Sequence, residues 1–232
     1  MENLKLKENK ILVIAAHPDD EILGCGGTIN KLKNSNTIKI VFLTNGVSAR
    51  SKNKKKENIR KKECLSLMKY LKLPKPVFFN FPDNALDSIP ILRIIKKIEN
   101  IIKEFKPNII FTHSDNCLNI DHMIAYRATI TACRPILPNI VNFILSFEIP
   151  SSTEWKIGRN KFNPNLYIDI ENDLSEKIKC LKFYKSELRR LPHSRSLKGI
   201  ENVAKYRGLE CGKIAAEAFE IKNLIFENEN KN

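Results

Sequence analysis

An apolar run, Ile11–Ala16, ends abruptly in His17-Pro18-Asp19-Asp20-Glu21, and no other stretch of the chain limits the fold so narrowly. An unbroken Ile/Leu/Val run suits a strand buried on both faces, and such strands belong to parallel sheets covered by helices. Ile38–Thr44, Val77–Phe81 and Ile109–Thr112 are runs of the same kind. Between them lie Lys54–Leu73 and Ser88–Phe105; in the second, Ile91, Ile94, Ile95, Ile98, Ile101 and Ile102 recur at helical spacing. A proline closes each helical stretch shortly downstream. The alternation predicts βαβ units, hence an α/β, Rossmann-like, doubly wound, mostly parallel sheet with helices on both faces. Further along, Asp121–Cys133 reads as a helix, Val141–Ile149 and Leu166–Ile170 as strands, and about 175–188 and 197–216 as helical. With 232 residues and no linker or repeat, residues 1–232 are expected to form a single domain.

The start, Met1 to Lys10, is polar, and Ile11–Ala16 is too short for a signal sequence or a membrane span. A cytoplasmic protein with no integral membrane segment is expected. Cys25, Cys64, Cys117, Cys133, Cys180 and Cys211 form no CxxC pair, so they read as reduced, mostly buried small residues. The net charge of +14 has two readings. Lysine abundance supplies much of it, and Lys52–Lys56 looks like a solvated loop; alternatively, a basic surface serves an anionic substrate. No basic stretch is interleaved with aromatics, so nucleic acid is not the expected partner.

In open α/β sheets ligands sit beyond the carboxyl ends of the strands. There stand His17, Asp19, Asp20 and Glu21 after the first strand, and His113, Asp115, Asn119, Asp121 and His122 after the fourth. Carboxylates and imidazoles packed against a hydrophobic sheet need partners, and a cation is one. His17 and Asp20, bent together by Pro18, can converge on one ion, while the adjacent carboxylate addresses its water. A polar loop in which Asp19 or Asp20 only caps a helix is the plainer reading of the first cluster alone. Together the two clusters supply the His, Asp and His set, with an open position, that catalytic zinc uses.

The hexapeptide Ala16-His17-Pro18-Asp19-Asp20-Glu21 and the downstream Asp121-His122 pair resemble the signature of the LmbE-like (PIG-L) zinc-dependent de-N-acetylases. Thr44-Asn45-Gly46, the Arg60/Glu63 spacing, Asp83, His193-Ser194-Arg195-Ser196, Tyr206-Arg207-Gly208 and Ala216-Glu217-Ala218-Phe219 extend the likeness along the chain. The late motifs are similar to a subgroup associated with bacterial surface-sugar biosynthesis. The resemblance implies one zinc per chain on His17, Asp20 and His122, with Asp19 as general base. Glu21 and Asp121 read as supporting residues, Asp121 as one that fixes a histidine tautomer. Where the family usually has His-Pro-Asp-His, this chain has Asn119-Ile120-Asp121-His122. Asn119 can donate a hydrogen bond but cannot carry charge, leaving Asn119, His193, His113 or Asp19 alone for the remaining catalytic role. Arg60, Asp83, Arg195 and Arg207 are candidate substrate contacts, arginines for phosphate or carboxylate and aspartate for hydroxyls; Arg60 could instead only pair with Glu57 or Glu63.

The function these residues imply is zinc-dependent removal of an N-acetyl group from a sugar derivative, carried on a nucleotide or phosphate in the anionic case. Two alternatives stand beside it: an amidase of thiol-sugar conjugates, and a basic nucleic-acid or phospholipid binding protein with a vestigial site. Self-association stays open.

Overall fold

A computed structural model describes residues 7–44, 54–135, 141–156 and 161–226. Asn45-Gly46 and, from the basic run, Lys52 and Asn53 lie outside the described residues. The first strands and helices alternate as β1 (Lys10–Ala15), α1 (Asp20–Leu32), β2 (Thr37–Thr44), α2 (Lys54–Leu71), β3 (Val77–Phe81), α3 (Ile91–Phe105), β4 (Ile109–His113), α4 (Ile120–Ala132) and β5 (Phe143–Phe147). Then follow β6 (Leu166–Asp169), α5 (Leu174–Leu181), α6 (Leu197–Glu210) and β7 (Ala216–Leu224). One seven-stranded sheet runs β3-β2-β1-β4-β5-β7-β6, parallel from β3 to β5, with β7 antiparallel to both β5 and β6.

Alternation along each strand divides the core into two faces. Ile11, Val13 and Ala15 of β1 pack with Ile38, Ile40 and Phe42 of β2 under α1, α2, α5 and α6, through residues such as Ile29, Leu67, Leu181 and Ile200. Leu12 and Ile14 face the other way, with Val41 and Leu43, onto Ile94, Ile98 and Ile102 of α3 and Ala125 and Ala128 of α4. The expected doubly wound architecture is the observed one. Three expectations are corrected. Lys54, Lys55 and Lys56 begin α2, in keeping with the helix expected over Lys54–Leu73, so the solvated-loop reading of the basic run does not hold for them. Two expected helical stretches are also shorter: the first stops at Leu181 and the second at Glu210, after which the chain turns and β7 begins. β7 escapes an apolar-run reading because Glu217 and Glu220 interrupt it, yet both are buried.

Glu217 explains α1. Cys25 has non-helical dihedrals (φ −143°, ψ 27°), so the helix breaks there. The N–H groups of Gly27 and Thr28, freed by the break, donate to the Glu217 carboxylate at 2.8 and 2.7 Å. On the other side the Leu23 carbonyl accepts from Lys177 Nζ at 2.9 Å, and Lys177 pairs with Glu217 at 2.6 Å. Both sets of orphaned backbone groups are thereby satisfied. The short first turn, Asp20–Gly24, is free to take its own angle against the sheet.

That angle requires Gly24. A Cβ there would lie 2.3 Å from Phe147 Cδ2, inside the ring contact that β5 makes with the helix. Gly24→Ala is expected to destabilise the protein by about 1–3 kcal/mol, the usual cost of overpacking. Urea unfolding of the variant measures it, and an unchanged midpoint would show that the two elements can part without loss.

Candidate metal and catalytic site

β1 and β4 are neighbours, in parallel register from Ile11↔Ile109 to Val13↔Phe111. Their carboxyl ends therefore deliver His17, Asp19 and Asp20 on one side and His113, Cys117, Asp121 and His122 on the other. His17 Nδ1 lies 3.0 Å from Asp20 Oδ2 and 3.2 Å from His122 Nε2, and His122 Nε2 is 3.4 Å from the same Asp20 oxygen. These three donor atoms are buried and within one ion's reach of each other. Asp20 Oδ1, also buried, has no hydrogen-bond partner among the described residues. Two imidazole nitrogens aimed at one carboxylate, with a spare oxygen, are a donor set suited to zinc.

The far sides of both rings are held. His17 Nε2 meets Asp121 Oδ2 at 3.1 Å and Asp83 Oδ1 at 3.0 Å. Asp121 also accepts the backbone N–H of Asn84 at 2.7 Å and of Leu86 at 3.0 Å, tying the segment after β3 to the site. Burial opposes protonation of His17, but Asp20, Asp121 and Asp83 outweigh it and raise its pKa well above the ordinary value. Burial likewise opposes ionisation of Asp20, and the imidazoles of His122, His17 and His113 hold its pKa well below normal. His113 is fully buried, stacked on His122 with centroids 4.0 Å apart. Its Nε2 accepts the Ala16 N–H at 2.9 Å, which puts the proton on Nδ1 and leaves the ring supporting His122 from beneath.

Asp19 stands beside this cluster with φ 116°, a left-handed conformation rare outside glycine. Its N–H donates to Glu21 Oε2 at 2.9 Å, and Glu21 Oε1 accepts from Tyr184 Oη at 2.5 Å. Burial pushes the Glu21 carboxyl up to about 8, against these two hydrogen bonds. The Asp19 carboxylate meets Arg60 Nη2 at 2.6 Å and Arg195 Nη1 at 3.4 Å. Burial raises the Asp19 pKa in spite of both guanidiniums. A small cavity beside it is lined by Leu23, Leu181, Tyr184, Glu187, Leu188 and Arg195.

Residues 12–133 match the GlcNAc-PI de-N-acetylase (PIG-L) family. An uncharacterized deacetylase of Escherichia coli, YaiS, is 30% identical over 78% of this chain and 92% of its own. The chain belongs to the PIG-L family. A probable N-acetyl-alpha-D-glucosaminyl L-malate deacetylase 2 of Bacillus cereus is 24% identical over 78% of this chain and 84% of its own. Among solved structures, an N,N'-diacetylchitobiose deacetylase of Pyrococcus horikoshii superposes with a TM-score of 0.76 at 22% identity, covering 95% of this chain and 87% of its own. At that identity the superposition speaks to the fold. Family and relatives make this PIG-L protein a hydrolytic N-deacetylase.

Several residues expected at the site have protein partners of their own. Asn119 is the N-cap of α4: its Oδ1 accepts from the N–H groups of Asp121 and His122 at 2.9 and 3.3 Å, while its Nδ2 donates to Asn84 Oδ1 at 3.2 Å. His193 is exposed, and its Nδ1 accepts the Arg195 N–H at 3.0 Å, shaping the turn that sends Arg195 toward Asp19. Arg207 is gripped bidentately by Glu148 at 2.6 and 2.7 Å and by Glu210 at 2.7 Å, apart from the His17 cluster. Arg60 is buried, donating from Nε to the Pro18 carbonyl at 2.7 Å and pairing with Asp19 and Glu187, not with Glu63. Glu63 instead accepts from Ser186. Tyr184, Cys117 and Ser152 carry no sequence signal beyond their apolar or small character.

Arg60 thus locks the loop that carries the PIG-L signature. Arg60→Ala would leave the buried Asp19 with Arg195 alone. A loss of about 3 kcal/mol is expected, the low end for removing one partner of a buried pair, since Arg195 remains. Denaturant unfolding reads it; a change below about 1 kcal/mol would mean that Arg60 does not hold the loop.

Proposed function

We propose that the chain uses one zinc, held by His17, Asp20 and His122, to remove the acetyl group of an N-acetylated sugar derivative, with Asp19 as general base. The observation that carries this reading is the convergence of His17 Nδ1, Asp20 Oδ2 and His122 Nε2 beside an immobilised Asp19 carboxylate. Zinc supplies at such a site a Lewis acid that polarises an amide carbonyl and acidifies water. Asp19 takes a proton from the attacking water and passes it to the departing amine as the amide C–N bond breaks, releasing acetate. Its raised pKa brings its proton affinity closer to what that exchange needs. The left-handed backbone, Arg60 and Glu21 fix its direction, and Asp121 with Asp83 fix the tautomer of His17.

The relatives named for N-acetylglucosaminyl malate and diacetylchitobiose support a sugar substrate. An anionic one is supported by Arg195, whose part-exposed guanidinium lies beside the Asp19 cavity and holds Asp19 and Glu187 only at 3.4 and 3.8 Å, whereas Arg60 and Arg207 grip their carboxylates at 2.6 Å. Asp83 contacts His17 and is better read as holding that ring than as meeting sugar hydroxyls. No helix among the described residues is long and apolar enough to cross a membrane. The cysteines of the described residues are all free, which fits a reducing cytoplasm.

Zinc analysis with acetate release over a panel of N-acetylated sugars, including a thiol-sugar amide, tests the reading. Asp19→Asn should keep zinc and lose about 10²–10⁴ in rate, while the His17→Ala, His122→Ala double variant should lose the metal. Full zinc occupancy in the double variant, or near wild-type turnover by the Asp19→Asn variant, would refute it. KM for an anionic substrate should rise with ionic strength, as exposed charge attraction is screened; a flat profile would assign the net charge to composition.

A further inference from the structure

His122 and His17 are gripped by different chemistry on the side away from the cluster. His17 Nε2 faces the carboxylates of Asp121 and Asp83. His122 Nδ1 faces a thiol: Cys117 Sγ lies 3.1 Å away, and the same sulfur is 3.1 Å from Ser152 Oγ. Cys117 is 1% exposed. We propose that Cys117 is a positioning residue for His122, holding its metal-facing nitrogen on the His17–Asp20 cluster through a Ser152–Cys117–His122 relay of hydrogen bonds. The proposal rests on the zinc-site reading given above.

The tautomer follows from the geometry. A ligating Nε2 needs its lone pair, so the ring proton must sit on Nδ1, where Cys117 Sγ accepts it. The thiol proton is then directed at Ser152 Oγ, the acceptor it has at hand. Backbone pairing fixes both ends of the relay: the Leu118 N–H donates to the Ser152 carbonyl at 3.1 Å, and the Ser152 N–H to the Ile149 carbonyl at 3.1 Å. Rotation of the His122 ring is further limited by the His113 stack below it. Cys117 is no ligand itself, because its sulfur meets Nδ1, across the ring from the Nε2 that lies near His17 and Asp20. Groups that orient a metal-bound histidine in this way typically carry about 10–100-fold in metal affinity.

The test is zinc affinity of the full chain by chelator competition, with folding followed by circular dichroism. Cys117→Ala and Cys117→Val remove the acceptor and should weaken zinc binding about 10–100-fold. Cys117→Ser, whose hydroxyl can accept from Nδ1–H and donate to Ser152, should restore it to within about threefold of wild type. Ser152→Ala, which touches only the far end of the relay, should weaken it several-fold and serves if both Cys117 replacements fail to fold. Cobalt-substituted wild type should show no thiolate charge-transfer band, and the ligand-field bands should move in Cys117→Ala. Wild-type zinc affinity in the folded Ala and Val variants, or in Ser152→Ala where those do not fold, overturns the proposal, as does a charge-transfer band that Cys117→Ala abolishes. His122→Ala separates the two levels. If it binds zinc as tightly as wild type, the zinc-site reading fails; if it loses zinc while the Cys117 variants do not, only the positioning role fails.

Discussion

The parallel pairing of β1 with β4 assembles the centre from two halves that are each insufficient. Neither strand end holds a complete donor set: the segment after β1 has one histidine, and the segment after β4 contributes the other through the first turn of α4. The sheet order places these ends side by side because β2 and β3 wind off in one direction and β5 in the other, making the β1/β4 boundary the switch point where helices change face. Packing then enforces the geometry. Alternate residues of β1 are committed to opposite cores, so a register slip of one residue would exchange Ile11, Val13 and Ala15 for Leu12, Ile14 and Ala16. The distances among His17, Asp20 and His122 are in this sense a consequence of hydrophobic burial some residues upstream.

The broken α1 shows how a backbone defect is placed and then neutralised. A regular helix from Asp20 to Leu32 would have its first turn dictated by the whole rod. The break at Cys25 uncouples the turn that carries Asp20 and Glu21 from the part that packs under the sheet. Exposed backbone groups at the break would each cost on the order of 1–3 kcal/mol if left dry. Lys177 from α5 and Glu217 from β7 satisfy them while pairing with each other. Elements that are late in the chain thus stabilise its first functional turn.

Dependence on distant partners also separates what sequence reasoning reaches from what it does not. Strands β1 to β4 and helix α3 are legible because their burial is periodic and local. The His17 and His122 clusters are legible because they break an apolar pattern at strand ends. β7 is not, since Glu217 and Glu220 look like surface residues until Gly27, Thr28, Lys177, Ser114 and Ser146 are brought to them from far along the chain. Arg60 presents the same difficulty: on a helix it reads as a substrate contact or as a surface cation paired with Glu57 or Glu63, whereas its partner Asp19 lies beyond the end of β1. Cys117 looks inert by composition, and only the approach of His122 Nδ1 gives it chemistry. Asn119 stands out as a departure from the family pattern, yet its oxygen is engaged in capping α4, a role that any Asn before a helix can fill.

The electrostatics of the centre are compatible with the zinc site proposed above, on grounds separate from the motif. Asp19, Asp20, Asp83 and Asp121 are all buried, and among the described residues Arg60 and Arg195 direct their guanidiniums at Asp19. Asp19 is compensated by these guanidiniums, while Asp20, Asp83 and Asp121 each face His17, and Asp20 also faces His122. Neutral imidazoles would leave that group strongly negative in a medium where an uncompensated charge costs several kcal/mol. Protonation offers one remedy, and the carboxylates do drive His17 well above its ordinary pKa and His122 to about 8, against the burial that would lower both. In the proposed reading a zinc held by His17, Asp20 and His122 would supply the compensating charge instead. Because the same nitrogens cannot hold both a proton and a metal, zinc bound as proposed would displace protons and would bind more weakly as pH falls through the range where these histidines titrate. The carboxylates that hold the ligand rings in place therefore also set how strongly protons compete for them.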